Sequence, residues 1–112
     1  MTPVRFRVVF TTDARLQLRL LDGADRLVGI PPGALNRDAM QALLAGTVLG
    51  DLLASLDDLA TDPYGGPSLA RTSDAEDDRT ALLGSLAVTY MVSPSTQPPV
   101  ITITGIRPPK GL

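Results

Sequence analysis

The stretch that decides the fold reads LAVTYMVSPSTQPPVITITGI and covers residues 86–106. Its two ends, residues 86–92 and 99–106, are rich in β-branched residues, as strands are. Residues 93–98 between them contain the proline and serine typical of a hairpin loop. Residues 79–83, which read RTALL, predict another strand directly before this pair. We therefore expect an antiparallel meander of three strands in the C-terminal part of the chain.

A fourth strand is expected near the N-terminus, where residues 4–10 read VRFRVVF. The even-numbered positions are all apolar and should face the core, because successive side chains of a strand point to opposite sides of its sheet. Arg5 and Arg7 should then share the outer face with Thr89, Thr102 and Thr104. Such a face could receive a phosphate backbone or a peptide, although an ordinary polar outer face is the favoured interpretation.

The first of two expected helices covers residues 14–21. Ala14, Leu18 and Leu21 recur at helical spacing, after a threonine that can cap a helix and Asp13, whose charge suits a helix N-terminus. Every second residue from 16 to 20 is leucine, so a strand remains the alternative for this segment.

The second expected helix follows Asn36, a capping residue, and carries the strongest periodic signal in the chain. Apolar residues recur at i, i+3 and i+4 from Met40 to Leu59. Glycine is unfavourable inside a helix, so a bend or a break into two helices is expected near Gly46. The helix must end before Asp62, because the proline that follows disfavours helical backbone there.

The composition limits the chemistry that the chain can carry. Its 112 residues include no cysteine and no histidine, which excludes disulfides, thiolate nucleophiles and the usual neutral-pH general base. We expect neither a cofactor nor a metal, since the acidic residues 73–78 do not match a calcium loop. The net charge of −2 leaves any nucleic-acid contact to a local basic patch. No apolar run reaches the ~18 residues of a membrane span, so we expect a cytoplasmic protein without membrane contact.

The sequence thus predicts one α+β domain over residues 1–112, in the order β-α-α-β-β-β, with an antiparallel sheet of about four strands packed on two helices. Residues 24–35 should connect the helices, residues 73–78 should form an acidic loop, and residues 107–112 should form a basic tail.

This order, with three local strings, resembles the RelE/ParE superfamily of toxins from type II toxin–antitoxin systems. The strings are FTTDA at residues 10–14, LATDPYG at residues 59–65 and GSLAVTYMV at residues 84–92. The resemblance implies growth inhibition or plasmid stabilisation, with a cognate antitoxin as partner. Some members cleave mRNA on the ribosome without a metal, and others bind DNA gyrase without nuclease chemistry.

The resemblance also implies site residues. Arg107, just after the last strand, matches a basic residue of the family and is the first candidate for a phosphate contact. Arg79 and Tyr90 complete the expected catalytic set, although Tyr90 fits a core position better. Ala87 stands where the family often has an arginine, which puts mRNA cleavage in doubt and keeps a binding-only toxin open.

Arg5, Arg7 and Lys110 are the expected contacts to RNA or to a protein partner. The alternative function is a non-catalytic interaction module that shares the toxin topology and forms a homodimer or binds another protein.

Overall fold

Five strands and three α-helices make up the part of the chain that the computed structural model describes, which is residues 5–31, 33–66, 68–72 and 75–107. In chain order they are β1 (Arg7–Phe10), α1 (Thr12–Leu18), a short 3₁₀ helix (Ala24–Leu27), α2 (Arg37–Leu43), α3 (Val48–Leu59), β2 (Ser68–Thr72), β3 (Ala75–Leu83), β4 (Leu86–Ser93) and β5 (Val100–Arg107). The predicted α+β class is confirmed.

The strands form one mixed sheet in the order β1-β5-β4-β3-β2. The last four strands are an antiparallel meander, whereas β1 lies parallel to β5, with Arg7 opposite Val100 and Phe10 opposite Ile103. The expectation of about four antiparallel strands is therefore wrong in both number and direction. The alternation in residues 4–10 defines which face is apolar, but it is the same for parallel and antiparallel pairing.

The loop expected at the acidic residues 73–78 is wrong. The described residues of 73–78 belong to β3, which begins at Ala75 and not at Arg79. Strand β2 was not predicted at all. Its pairing with β3 places Leu69 opposite Thr80, and Asp78 of β3 lies opposite Met91 of β4. Hydrogen bonds to both neighbours hold a segment of low strand propensity in the sheet.

The core lies between one face of the sheet, here called the inner face, and the helices α1 and α3. Phe6, Val8 and Phe10 pack against it, which confirms the predicted orientation of the N-terminal strand. The buried core residues are Ala14, Leu52, Leu56, Leu59, Ala81, Leu83, Leu86, Val88, Tyr90, Val92, Ile101, Ile103 and Ile106.

Each helix begins at a polar cap. The Thr11 hydroxyl accepts from the Ala14 amide at 3.2 Å, and the Asn36 side chain accepts from the Ala39 amide at 2.8 Å. Residues 12–18 are helical, so the strand alternative for the first helix is wrong, but the helix ends at Leu18 and not at Leu21 as expected. The long periodic segment breaks at Gly46, where φ is +79°, and Thr47 caps α3. The expected break near this glycine is confirmed.

The connector at residues 24–35 and the two residues before it are anchored to the helices that follow. The Leu49 amide donates to the Asp22 carbonyl at 2.9 Å, and Arg26 donates to the Leu43 and Ala45 carbonyls at 3.0 and 3.3 Å. Gly23, at φ +102°, packs so closely on Thr47 that a Cβ would overlap its side chain. These contacts hold the 3₁₀ helix beside α1 and α3, where it forms one wall of a groove.

Candidate functional site

Arg79 and Tyr90, two of the three expected catalytic residues, lie directly opposite each other on β3 and β4. Both point to the inner face and are buried, with Arg79 only 7% exposed and Tyr90 fully covered. The Arg79 Nε donates to the Ser68 Oγ at 2.6 Å, and the Ser68 hydroxyl is hydrogen-bonded to the Tyr90 hydroxyl. The Tyr90 hydroxyl in turn donates to the Pro63 carbonyl at 2.7 Å. We call Arg79, Ser68, Tyr90 and the Pro63 carbonyl the inner network.

The chemistry of these groups fixes the direction of every hydrogen bond in the inner network. A guanidinium can only donate and a carbonyl can only accept. The single Tyr90 proton therefore goes to Pro63, and the Ser68 proton must go to Tyr90. Among the described residues, every buried side-chain nitrogen and oxygen has a hydrogen-bond partner.

Tyr64 covers the guanidinium from a second side. The Arg79 Cζ lies 5.1 Å from the centre of the Tyr64 ring, within range of a cation–π contact. The Tyr64 hydroxyl donates to Asp77 at 2.6 Å. Together with the inner network, these contacts tie the turn at residues 63–64 and the edge strand β2 to the middle of the sheet. A substrate phosphate would have to displace them to reach Arg79.

Arg107 lies on the opposite side of the sheet. It ends β5, is exposed, and lies across from Ala87 of β4. Tyr90 and Ile106 point inward, so the alternation places Ala87 and Arg107 on the face that no helix covers, here called the outer face. The fold therefore does not bring the three expected catalytic residues together.

The expected binding residues are also dispersed. Arg5 pairs with Asp57 of α3, which also pairs with Arg37 at 3.3 Å, so Arg5 does not belong to the outer face as expected. Arg7 is exposed at the edge of the outer face. Lys110 lies outside the described residues.

The outer face combines threonines with exposed apolar side chains. Thr89 and Thr104 are hydrogen-bonded at 3.0 Å across a bulge in the β4–β5 pair. Gly105 is required there, because a Cβ would lie only 2.8 Å from the Thr89 hydroxyl oxygen. Three large apolar side chains are exposed on the same face, and they are Leu69, Leu82 and Met91.

Sequence reasoning missed Ser68 and Tyr64, because the residues that they contact lie more than ten positions away in the chain. A signal for Arg79 was present, since Arg79, Ala81 and Leu83 occupy alternate positions and the latter two are apolar. That alternation indicates an inward arginine, and a buried arginine requires partners.

A groove of about 620 Å³ opens on the helical side, between α1, the 3₁₀ helix, α2 and α3. It is lined mainly by apolar side chains, among them Leu18, Val28, Met40 and Leu53. Met40, the first apolar residue of the periodic segment, is only partly buried and faces this groove.

Neither a metal centre nor a membrane span is found in the part of the chain that the structure describes. Among the described residues, no three carboxylates lie close enough together to hold a metal ion. No helix there has the length and apolar character needed to cross a bilayer. No protein-family model, no curated protein and no solved structure matches this chain.

Proposed function

We propose that this chain is a RelE/ParE-like toxin, or a protein derived from one, that inhibits growth by binding its target and not by cutting RNA. The order of the elements supports the toxin fold, since an N-terminal strand and a helical segment precede a C-terminal meander in one sheet. The cognate partner would be an antitoxin, and the targets would be the translation or DNA-topology machinery. Because one fold hosts many functions, the choice of mechanism depends on the site residues.

The observation that carries the choice of binding over catalysis is the inner network. Cleavage at a 2′-hydroxyl requires a proton acceptor, cations on the phosphate and a proton donor to the leaving oxygen. Arg79 and Tyr90 could supply two of these functions, but both are buried and hydrogen-bonded within the core. Only Arg107 of the expected set is exposed, and one arginine can hold a phosphate without catalysing its transfer.

The test is inducible expression in a bacterial host, with growth, mRNA 5′ ends and plasmid supercoiling measured together. We expect growth arrest without codon-linked mRNA ends. Arg107→Ala should relieve the arrest, whereas Arg71→Ala, which removes another exposed arginine, should not. Arrest accompanied by codon-linked ends would overturn the binding-only mechanism, and normal growth would overturn the toxin proposal itself.

The second candidate is an interaction module without toxin activity, and the exposed Leu69, Leu82 and Met91 of the outer face favour it. Large apolar side chains exposed on a sheet face that no helix covers are available for contact with another protein. This candidate predicts normal growth on induction and a dimer in sedimentation analysis. Leu82→Asp should convert that dimer to a monomer, while Leu20→Asp, at an apolar residue exposed on the helical side, should leave it intact.

A further inference from the structure

We propose that Arg107, Thr89 and Thr104 form a binding site on the outer face for a carboxylate of a protein partner. The inference rests on the proposed function, because it names the chemical group through which this chain holds its target. Its basis is the bulge in the β4–β5 pair, which brings one guanidinium and two hydroxyls together. We call Arg107, Thr89, Thr104 and Gly105 the bulge site.

The bulge holds the Arg107 side chain against the sheet. Gly105 is buried although no helix covers the outer face, so side chains of the same face must cover it. The point that a Cβ of Gly105 would occupy lies 2.8 Å from the Thr89 hydroxyl oxygen and 4.0 Å from the Arg107 Nε. The guanidinium and the hydroxyl therefore border the same point of the surface, where one ligand atom group can meet both.

The bulge site has hydrogen-bond donors to spare. Thr89 and Thr104 are hydrogen-bonded to each other at 3.0 Å, and that bond uses one of their two hydroxyl protons. The second proton is available to a ligand. Arg107 is available as well, because it makes no ion pair or side-chain hydrogen bond with the residues that the structure describes. An anionic oxygen that accepts from both groups would gain charge-assisted hydrogen bonds.

The charges of the sheet favour one carboxylate over a chain of phosphates. A nucleic-acid backbone is held by several cations, each at a separate phosphate. The other exposed arginines of the sheet do not extend the bulge site into such a row. Arg71 is paired with Asp78 at 3.2 Å, and Arg7 lies beside Val100 at the far end of β5, roughly 20 Å from Arg107 at the rise of a strand. A single guanidinium matches a single carboxylate in charge, and its planar fork fits both carboxylate oxygens.

The neighbours of the bulge site indicate that the carboxylate belongs to a protein. Ala87 lies between Arg107 and Leu82 in one cross-strand row, and Leu82 is 58% exposed. Two strand spacings, about 10 Å, separate the guanidinium from the leucine. An arginine beside exposed apolar side chains is the composition of a protein interface. An acidic residue of the partner would meet Arg107 while an apolar neighbour of that residue packs on Leu82.

The experiment is an NMR titration of the isotopically labelled chain with the capped dipeptide acetyl-glutamyl-leucine amide. The amide signals of Thr89 and Gly105 and the Nε–H signal of Arg107 should shift. The neutral acetyl-glutaminyl-leucine amide should bind roughly tenfold more weakly, because it lacks the charge. Arg107→Ala should lower the affinity for the acidic dipeptide by a similar factor, and Thr89→Val by roughly threefold.

Two matched variants are the controls. Arg71→Ala removes another exposed arginine of the sheet, and Thr102→Val removes another threonine hydroxyl of β5. Both should leave the affinity for the acidic dipeptide unchanged. The amide spectrum of each variant also verifies that it is folded.

Two results would overturn the inference. One is a dipeptide that leaves the three signals in place or binds the Arg107→Ala chain as tightly as the wild type. The other is tighter binding at the same signals by the dinucleotide uridylyl-uridine, which carries one phosphodiester charge and would assign the bulge site to a phosphate backbone.

The growth assay separates this inference from the toxin proposal. Growth arrest that Arg107→Ala relieves, without binding of the dipeptide, would leave the toxin proposal standing and overturn the carboxylate site. Binding of the dipeptide with normal growth would support the carboxylate site and overturn the toxin proposal alone.

Discussion

Similar residues differ in solvent exposure according to which face of the sheet they occupy. Tyr90 and Met91 are neighbours on β4, yet Tyr90 is fully buried on the inner face and Met91 is 46% exposed on the outer face. The arginines divide in the same manner, with Arg79 covered and hydrogen-bonded and Arg107 in water. Accessibility therefore decides which basic residue can meet a ligand, and residue type alone does not.

The cause of the difference is that the helices cover only one side. A polar group on the inner face must find hydrogen-bond partners within the protein, because burial without them is costly. A polar group on the outer face is satisfied by water. Mutations that compare matched residues on the two faces should therefore separate structural from functional roles.

The largest expected effect comes from removing the Tyr90 ring. Tyr90→Ala should lower the free energy of unfolding by about 3–5 kcal/mol, because it leaves a cavity in the core. Met91→Ala, its neighbour on the outer face, should lower it by less than about 1 kcal/mol. Urea titration measures both, and equal losses would show that the two faces are not distinguished by burial.

The next effect concerns the guanidinium. Arg79→Leu should cost about 2–3 kcal/mol, because it removes the donor to Ser68 and leaves buried acceptors without it. Arg71→Leu, which breaks an exposed ion pair with Asp78, should stay within about 0.5 kcal/mol of the wild type. If Arg79→Leu left the urea midpoint unchanged, the stabilising role of Arg79 in the inner network would be contradicted.

A smaller change isolates one hydrogen bond. Tyr90→Phe keeps the ring but removes the hydroxyl between Ser68 and Pro63, so a loss of about 1–2 kcal/mol is expected. Ser68→Ala should cost a similar amount, and the double variant should cost less than the sum of the two, because the residues share one chain of hydrogen bonds. Additive losses in this double-mutant cycle would contradict the coupling of Ser68 and Tyr90 within the inner network.

The smallest effect is expected on the outer face. Thr104→Val removes the hydrogen bond to Thr89, which is partly open to water, and should change the free energy of unfolding by less than about 1 kcal/mol. A larger loss by thermal unfolding would mean that this face is covered in solution, which would support the dimer candidate.

Most of the local structure was predictable, and the errors concern features that depend on contacts between residues distant along the chain. The helix caps at Thr11 and Asn36, the break at Gly46 and the inward orientation of Phe6 follow from neighbouring residues. Strand β2 was missed because it offers only Leu69 as a large apolar residue, and that side chain is exposed. It forms because β3 pairs with it and Arg79 bonds to Ser68.

The candidate site was predictable only in part. The sequence singled out Arg79 and Tyr90, but it could not indicate that they meet each other and face away from Arg107. The groove was invisible to sequence reasoning, since Leu18, Val28 and Met40 come from segments whose relative placement depends on packing.

The sequence by itself determined where the helices begin and break, which side of the N-terminal strand is apolar, and that cysteine and histidine chemistry is excluded. These features depend on composition, on periodicity and on residues a few positions apart. Only the tertiary structure decided that the first strand runs parallel to the last, that Arg79 is held within the core while Arg107 is exposed, and that four separate elements enclose an apolar groove. The physical reason is that hydrogen-bond partners, burial and open space are set by residues distant along the chain.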